Sequence, residues 1–252
     1  MARYLDLVAT AVDTGTININ YPIRAEFRVR KEYFEDFILG GGRFDAVRGL
    51  TRIRPELTIE YEPVGFRLLQ KAIQTTVPQY TARVNVDGNN ISVQGALIDT
   101  WEITCEEGRA ANVRMGLVGT LQSSDAPVPV GSDFTLTVPT VTNSQVLVGG
   151  STVKVNRWSL RINNNCQPLY YGNSVPATIQ AQNCEITGRL RYQDFVVPSE
   201  GTIEIRTPIG TITLSGVRFE EIPPSARGWE VPETEVSFRA SSINVVGVTT
   251  KD

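Results

Sequence analysis

The chain has 252 residues, with 24 lysines and arginines, 27 aspartates and glutamates, and no histidine. Without histidine, Ser-His-Asp and Cys-His catalysis are excluded, and a net charge of −3 with no basic cluster visible in the sequence argues against tight nucleic-acid binding through phosphate neutralisation. A hydrophobic content of 41% with 21 Gly and 14 Pro is typical of a folded, turn-rich β protein, long enough for one large or two ordinary domains.

The first predicted elements are an N-terminal arm over residues 1–23, with one or two short strands, and a strand over Ala25–Lys31. Apolar and polar residues alternate along that strand, which is the period of a strand with one buried face. The inward set is Ala25, Phe27 and Val29, and the outward set is Glu26, Arg28 and Arg30.

A segment over residues 32–49 is too apolar for a free loop. Its apolar residues are followed by three consecutive glycines, which forbid regular structure at the tip. We predict an apolar hairpin that must contact another surface, such as a partner subunit. The residues that carry this prediction are Phe34, Phe37, Ile38, Leu39, Gly40, Gly41 and Gly42.

The pattern then predicts a returning strand, one helix and a series of strands. Pro63 suits the first turn of a helix over residues 63–73, in which Val64, Leu68, Leu69 and Ala72 recur at helical spacing. The predicted strands cover residues 49–62, 80–86, 90–98, 101–105 and 112–121. A polar, Pro-containing stretch without periodicity, residues 122–133, is predicted to be a linker, and residues 223–233 a loop.

Three segments of the first half recur in the same order in the second half, which indicates an internal duplication. Phe27 aligns with Leu160, 133 positions later, Glu56 with Glu185, 129 later, and Gly95 with Gly216, 121 later. We therefore predict two β domains, residues 1–121 and 134–252, joined by the linker. Two unrelated β domains with generic strands remain the alternative.

No constellation in the sequence predicts an active site, so the chain is predicted not to be an enzyme and to hold no cofactor or metal. Sequence neighbours on a strand point to opposite faces, so the carboxylate pairs at residues 106–107 and 220–221 are interpreted as solvated turns. At least two of Trp101, Trp158 and Trp229 are expected in the core or an interface.

The three cysteines are expected to be free thiols, with pairing of Cys166 and Cys184 left open. The N-terminal residues match neither a signal peptide nor a membrane span, and no membrane binding is expected.

Two stretches resemble a known family. They are ALIDTWEITCEEGRAANVRMGLVGTL, residues 96–121, and VNRWSLRINNNCQPLYYGNSVPATIQAQNCEITGRL, residues 155–190. Both are similar to the tail tube proteins of long-tailed phages and related viruses, in particular the larger ones with a duplicated tube domain. The predicted hairpin lies where that family has its ring-stacking loop, and the predicted helix where the family packs a helix outside the sheet. The second half lacks that helix, which is a departure from the family pattern.

The resemblance implies a mainly β fold of two tandem tube-like β-sandwich domains with one short helix, which together complete a β-barrel between subunits. It implies a structural virion protein whose rings, trimeric with pseudo-sixfold symmetry, stack into a tail tube for genome passage and ejection. The implied partners are other copies of the chain, the tape-measure protein and DNA transiently in the lumen, and the tail terminator and baseplate or tip proteins. The implied location is the virion tail, assembled in the host cytoplasm. A near-neutral or acidic lumen would let DNA slide.

Alternation along two strands suggests which residues would line such a lumen. The candidates are Glu56, Thr58, Glu60, Glu185, Thr187 and Arg189, which alternate with the core candidates Leu57, Ile59, Ile186 and Leu190. The same polar face could equally lie on the outer wall.

Two other functions stay open at this point. Within the structural class, the chain could form the inner tube of a contractile tail or injection system, or a related secreted filament. In another class, it could be a carbohydrate-binding or adhesion β-sandwich, which predicts a soluble monomer with an exposed aromatic platform.

Overall fold

The computed structural model describes residues 5–9, 16–19, 22–37, 46–86, 89–123, 137–192, 201–220 and 234–247. Most of these residues are in antiparallel strands, so the predicted mainly β class is confirmed. The hairpin tip with Ile38, Leu39 and the three glycines lies outside the described residues, as do most of the predicted linker and the loop at 223–233.

Eight strands and one helix are described in the first half of the chain. They are β1 (Leu5–Ala9), β2 (Thr16–Ile19), β3 (Pro22–Phe37), β4 (Ala46–Tyr61), α1 (Arg67–Ala72), β5 (Tyr80–Val86), β6 (Asn89–Glu106), β7 (Asn112–Val118) and β8 (Leu121–Ser123). The predicted strand over 80–86 is therefore confirmed residue for residue. The strands predicted over 90–98 and 101–105 are one strand, because the β6 ladder with β7 continues across a bulge between Ile98 and Thr100.

Ten strands are described in the second half. They are β9 (Gln145–Val148), β10 (Ser151–Val153), β11 (Val155–Asn163), β12 (Gln167–Leu169), β13 (Thr178–Gln180), β14 (Glu185–Tyr192), β15 (Gly201–Thr207), β16 (Gly210–Glu220), β17 (Thr234–Ala240) and β18 (Ser242–Gly247).

The main sheet runs through both halves of the chain. Its strand order is β3-β4-β7-β6-β11-β14-β17-β16, and every neighbouring pair is antiparallel. Two strands on this path, β6 and β16, each bend at a glycine of positive φ, Gly95 at 57° and Gly216 at 62°. Before the bend, β6 pairs with β5 and β8, and β16 pairs with β15 and β18.

The pairing pattern of the first half recurs in the second half. Strand β1 pairs with β2 and β5 as β9 pairs with β10 and β15, and the four-strand order β3-β4-β7-β6 matches β11-β14-β17-β16. The registers match as well: Ile98 pairs with Leu117, and Phe219 with Phe238, each 121 positions later. Helix α1 and the β12–β13 hairpin have no counterpart among the described residues of the other half.

One alignment made from the sequence differs from the ladders. The sequence pattern aligned Glu56 with Glu185. In the structure, Glu56 pairs with Val118 of β7, and the counterpart of Val118 in β17 is Arg239. Arg239 pairs with Thr187, so the counterpart of Glu56 is Thr187. The shift is two residues, so each side chain keeps its face of the sheet. Strand patterns of period two cannot distinguish registers that differ by two, which is why the sequence alone placed it wrongly.

A hydrophobic core lies behind the main sheet and extends through both halves. It contains the two described tryptophans, Trp101 and Trp158, which are 1% and 0% exposed. Trp101 donates its indole N–H to the hydroxyl of Tyr61 at 3.2 Å. The expectation that at least two tryptophans are core residues is confirmed, and these two cannot form an exposed platform for sugars.

Helix α1 is shorter than predicted and joins the two halves. It begins at Arg67 and not at Pro63, with Gly65 before it and no side-chain cap at Phe66. The predicted apolar face is confirmed, because Val64, Leu68, Leu69 and Ala72 are buried. The side-chain amide of Gln70 donates to the backbone oxygen of Val245 in β18 at 3.2 Å, so the helix bonds to the second half.

All three cysteines are free, as expected from their number and spacing. Cys105 and Cys166 are buried, whereas Cys184 is exposed. Burial raises the pKa of the Cys105 and Cys166 thiols to about 12, and for Cys166 the nearby Asp99 carboxylate adds to the effect.

Candidate functional site

One face of the main sheet is polar over all eight strands, and we call it the polar face. The opposite face forms the core, because side chains alternate between the two faces of a strand. In β4 the residues Leu57 and Ile59 are 1% and 0% exposed, and in β14 the residues Ile186 and Leu190 are 6% and 0% exposed. The predicted alternation along these two strands is therefore confirmed.

The six lumen candidates all belong to the polar face. Glu56, Thr58 and Glu60 lie on β4, and Glu185, Thr187 and Arg189 lie on β14. The two groups are not neighbours, since β7, β6 and β11 lie between β4 and β14. The structure thus places the six candidates on one continuous surface, in two separate rows.

In the first half, the polar face is nearly balanced in charge. Among the described side chains, six arginines and five glutamates lie on this face of β3, β4, β6 and β7, and most of them are paired. The arginines are Arg24, Arg28, Arg30, Arg52, Arg54 and Arg114, and the glutamates are Glu26, Glu56, Glu60, Glu102 and Glu106.

Ion pairs along β3 and β4 account for this balance. Arg30 Nε lies 2.9 Å from Glu56 Oε2, and Arg54 Nε lies 3.0 Å from the other oxygen of the same carboxylate. A hydrogen bond from Arg28 lowers the pKa of Glu26, which keeps that carboxylate charged. These charges neutralise one another within the half, so little net field extends from it.

In the second half, the polar face carries an excess of positive charge. Six arginines and three glutamates lie on β11, β14, β16 and β17: Arg157, Arg161, Arg189, Arg191, Arg218, Arg239, Glu185, Glu220 and Glu235. Two ion pairs join residues of this set, Arg189–Glu235 at 3.4 Å and Arg239–Glu220 at 3.2 Å. Arg157 and Arg161 form no ion pair with any residue that the structure describes.

Arg157, Arg161, Arg189 and Arg239 surround a shallow depression of about 360 Å³ on the polar face, with Ser159, Thr187 and Ser237 between them. No basic patch was visible in the sequence, because the net charge of the whole chain hides it. Counting charges by strand face would have found it. The near-neutral or acidic lumen stays a prediction, since it depends on which surface lines the lumen.

The β12–β13 hairpin covers one end of the polar face in the first half. There Leu97 and Val118 are paired across β6 and β7 and are buried with Cys166 and Ile179. The hydroxyl of Tyr170, beside the hairpin, donates to the backbone oxygen of Ile53 at 3.3 Å. The equivalent positions of the second half are Arg218 and Arg239, which are exposed.

The predicted ring-stacking hairpin is only partly within the described residues. Strands β3 and β4 pair as far as Phe37 and Ala46, so residues 32–37 and 46–49 continue one long antiparallel ladder. Phe34 and Phe37 lie in the far part of β3, and the remaining five candidates, Ile38 to Gly42, lie beyond it.

Nothing in the described part of the chain points to catalysis or to a metal. No group of three or more His, Cys, Asp and Glu side chains in those ranges is placed to hold a metal ion. None of the helical segments described has the length and apolar character needed to cross a membrane.

A family model described as phage tail tube protein matches residues 3–228. The chain belongs to the phage tail tube protein family. The match spans both halves of the chain and every strand of the main sheet except β17. No curated protein matched the chain.

Family membership gives this tail tube protein a structural role in the virion tail. The family implies self-assembly into a tube and association with other tail components, and it favours a protein without enzymatic activity. The polar face, the two ends of the main sheet and the long β3–β4 hairpin are the features of this chain on which such an assembly would depend.

Proposed function

We propose that this tail tube protein forms trimeric rings that stack into a tube, with the polar face of the main sheet lining a lumen for genome passage and ejection. The observation that carries the proposal is the sheet itself. It presents one continuous polar face, and at each end a strand pairs on one side only among the described residues, β3 with β4 and the last part of β16 with β17.

An unpaired strand edge is a template for another chain, and closure into a barrel removes it. A sheet with two such edges closes in a ring of copies joined head to tail, and identical rings can stack along their axis. In this arrangement, Glu56, Thr58, Glu60, Glu185, Thr187 and Arg189 would line the lumen. We also retain the two proposed domains, residues 1–121 and 134–252 with 122–133 between them, as the two pseudo-equivalent parts of each subunit.

The proposed partners follow from the tube. Copies of the chain contact one another within and between rings, and the tape-measure protein and DNA occupy the lumen in turn. The tail terminator and the baseplate or tip proteins contact the two ends of the tube. Assembly takes place in the host cytoplasm before the tail joins the virion.

Negative-stain microscopy of the purified protein tests the proposal. We expect rings or hollow rods that lengthen as protein concentration rises. A lone particle at high concentration, without rings or rods, would contradict it and would favour a monomeric β-sandwich instead.

The long hairpin is proposed to join one ring to the next through Phe34, Phe37, Ile38, Leu39, Gly40, Gly41 and Gly42. Deletion of residues 37–43 should leave a folded protein, checked by circular dichroism, because the core of the described residues lies behind the main sheet. The deleted protein should form at most single rings in micrographs. Tubes of normal length from this variant would count against the stacking role.

A further inference from the structure

We infer the register in which two copies of the chain join: Arg30 of β3 in one copy lies opposite Glu220 of β16 in the next copy. The inference rests on the proposed function, since it assumes that copies join through these two edges. It goes further by naming the residues that meet and the charges that select the register.

The junction between the two halves of the chain supplies the geometry. There β6 pairs with β11, with Thr100 opposite Asn163, Glu102 opposite Arg161 and Glu106 opposite Arg157. Strand β6 is the last strand of the first four-strand group, and β11 is the first strand of the second group. A copy of the chain therefore already contains one junction of the type that a ring needs between copies.

The equivalent strands follow from the ladders. Leu160 of β11 pairs with Gly188 of β14, and Gly188 pairs with Phe238 of β17. In the same way, Phe27 of β3 pairs with Leu57 of β4, and Leu57 pairs with Leu117 of β7. Arg30 is thus the counterpart of Asn163, three positions beyond Phe27 and Leu160.

On the other edge, Glu220 is the counterpart of Thr100. Glu220 pairs with Ser237, and Thr100 pairs with Gly116, which is the equivalent position of β7. The bulge between Ile98 and Thr100 inserts Asp99 in the first half, so the correspondence must be read from the ladders and not from a fixed offset. With both counterparts fixed, the pair formed by Thr100 and Asn163 inside the chain becomes Glu220 and Arg30 between copies.

The charges of the two edges agree with this register. Arg30 and Glu220 have side chains that are 68% and 59% exposed, and both belong to the polar face, so neither must leave the core to meet the other. Two residues further along β3, Glu32 comes opposite Arg218 of β16, which again places unlike charges together. A shift of the register by two residues would set Arg28 or Glu32 opposite Glu220, and the second of these is a like-charge pair.

The side chains at the two edges now have partners within their own copy, Arg30 with Glu56 and Glu220 with Arg239. At the inferred junction between copies, Glu220 lies beside Arg30 as well as Arg239, and Glu56 already lies between Arg30 and Arg54. The ion pairs can therefore extend into a network without loss of the existing ones. Directly opposite residues of an antiparallel pair have Cβ atoms about 4.5–5.5 Å apart, which is close enough for a chemical cross-link.

Cysteine cross-linking in assembled tubes tests the register. The variant Arg30→Cys with Glu220→Cys, in a Cys184→Ser background, should on oxidation give covalent dimers and a closed trimer on a non-reducing gel. The matched control moves one cysteine by two residues on the same face, Arg28→Cys with Glu220→Cys, and should cross-link several-fold less. Equal cross-linking of the two variants, or cross-linking of the control alone, would overturn the register.

Charge reversal gives a second test if the cysteine variants do not assemble. Arg30→Glu and Glu220→Arg should each reduce the yield of tubes severalfold, and the double variant should recover most of the loss. A double variant that is as defective as the worse single variant would overturn the inference. The failure of the proposed function looks different: the unaltered protein would form no rings or tubes in micrographs, whatever the cross-linking shows.

Discussion

Strands β11 and β3 hold equivalent positions in the two four-strand groups, but their surroundings differ. Strand β11 lies between β6 and β14, and its core residues Leu160 and Ile162 are fully buried. Strand β3 pairs with β4 alone among the described strands, and its core residues Phe27 and Val29 are only half-buried. The comparison shows what a subunit neighbour would add: a second strand partner and burial of the apolar face of β3.

The in-chain junction is also locked by contacts that β3 lacks. The buried side chain of Asn164, next to β11, donates to the backbone oxygens of Ala72 in α1 and Ile98 in β6, both at 2.9 Å. The backbone N–H of Cys166 donates to Asp99 Oδ1 at 2.7 Å. These hydrogen bonds hold β11 against β6 within every copy of the chain. The edges at β3 and β16, in contrast, can remain unpaired until another copy binds.

The largest expected effect comes from truncating the core residue of β11. Leu160→Ala should lower the free energy of unfolding of the unassembled protein by about 2–5 kcal/mol, because it leaves a cavity in a fully buried site. Phe27→Ala, at the equivalent position of β3, should cost less than about 2 kcal/mol, since the ring is partly exposed. Urea denaturation measures both values. A cost for Phe27→Ala equal to or above that of Leu160→Ala would break the comparison.

The next effect concerns the two buried hydrogen bonds donated by the side chain of Asn164. Asn164→Ala should destabilise the protein by about 1–3 kcal/mol, because two buried carbonyl oxygens lose their donor. The matched control is Lys31→Ala, at the equivalent position of the first half, within β3. Lys31 is exposed, so this change should alter stability by less than about 0.5 kcal/mol. If thermal and chemical denaturation gave the same loss of stability for both variants, the hydrogen bonds of Asn164 would have no role in joining the two halves.

A smaller effect is expected from the charges of the polar face. At low salt, Arg157→Gln with Arg161→Gln should weaken the binding of a short DNA duplex to the unassembled protein and reduce the salt dependence, by about 0.9 per lost phosphate contact in a plot of log K against log salt. Arg24→Gln with Arg28→Gln removes the same charge at the equivalent positions of β3, where Glu26 already pairs with both arginines. Fluorescence anisotropy should show a weaker effect for this second variant. Equal effects would mean that the charge imbalance between the halves does not matter for DNA.

The smallest effect is on thiol reactivity. In the native protein at pH 8, a thiol reagent should modify the exposed Cys184 faster than the buried Cys105 and Cys166, although partial desolvation and Glu185 also raise the pKa of Cys184. Cys105 and Cys166 should stay almost unmodified, because burial raises their pKa to about 12 and little thiolate forms. The reaction of Cys166 then reports opening of the in-chain junction, and Asn164→Ala should accelerate it. Rapid modification of all three thiols without denaturant would contradict this account.

Sequence patterns predicted well those features that depend on neighbours along the chain. Alternation identified the core-facing residues Leu57, Ile59, Ile186 and Leu190, and the strand over 80–86 has the predicted bounds. The start of α1 was misplaced because Pro63 is a permissive first-turn residue, whereas burial of Val64 and Phe66 holds the preceding residues in irregular structure.

Features that depend on which strands become neighbours could not be predicted in the same way. The register of β14, the cover that β12–β13 forms over Leu97 and Val118, and the arginine excess around Arg157 and Arg161 all arise from pairing between distant segments. The lumen and ring-stacking residues stay predictions for the same reason, since they depend on contacts between copies of the chain.

A cryo-electron microscopy reconstruction of assembled tubes tests the central claim most directly. The account predicts that the polar face, with Glu56, Glu60, Arg157 and Arg161, lines the inner wall and that β3 of each subunit pairs with β16 of the next. A reconstruction with these four residues on the outer wall, or with subunits joined through other strands, would contradict it.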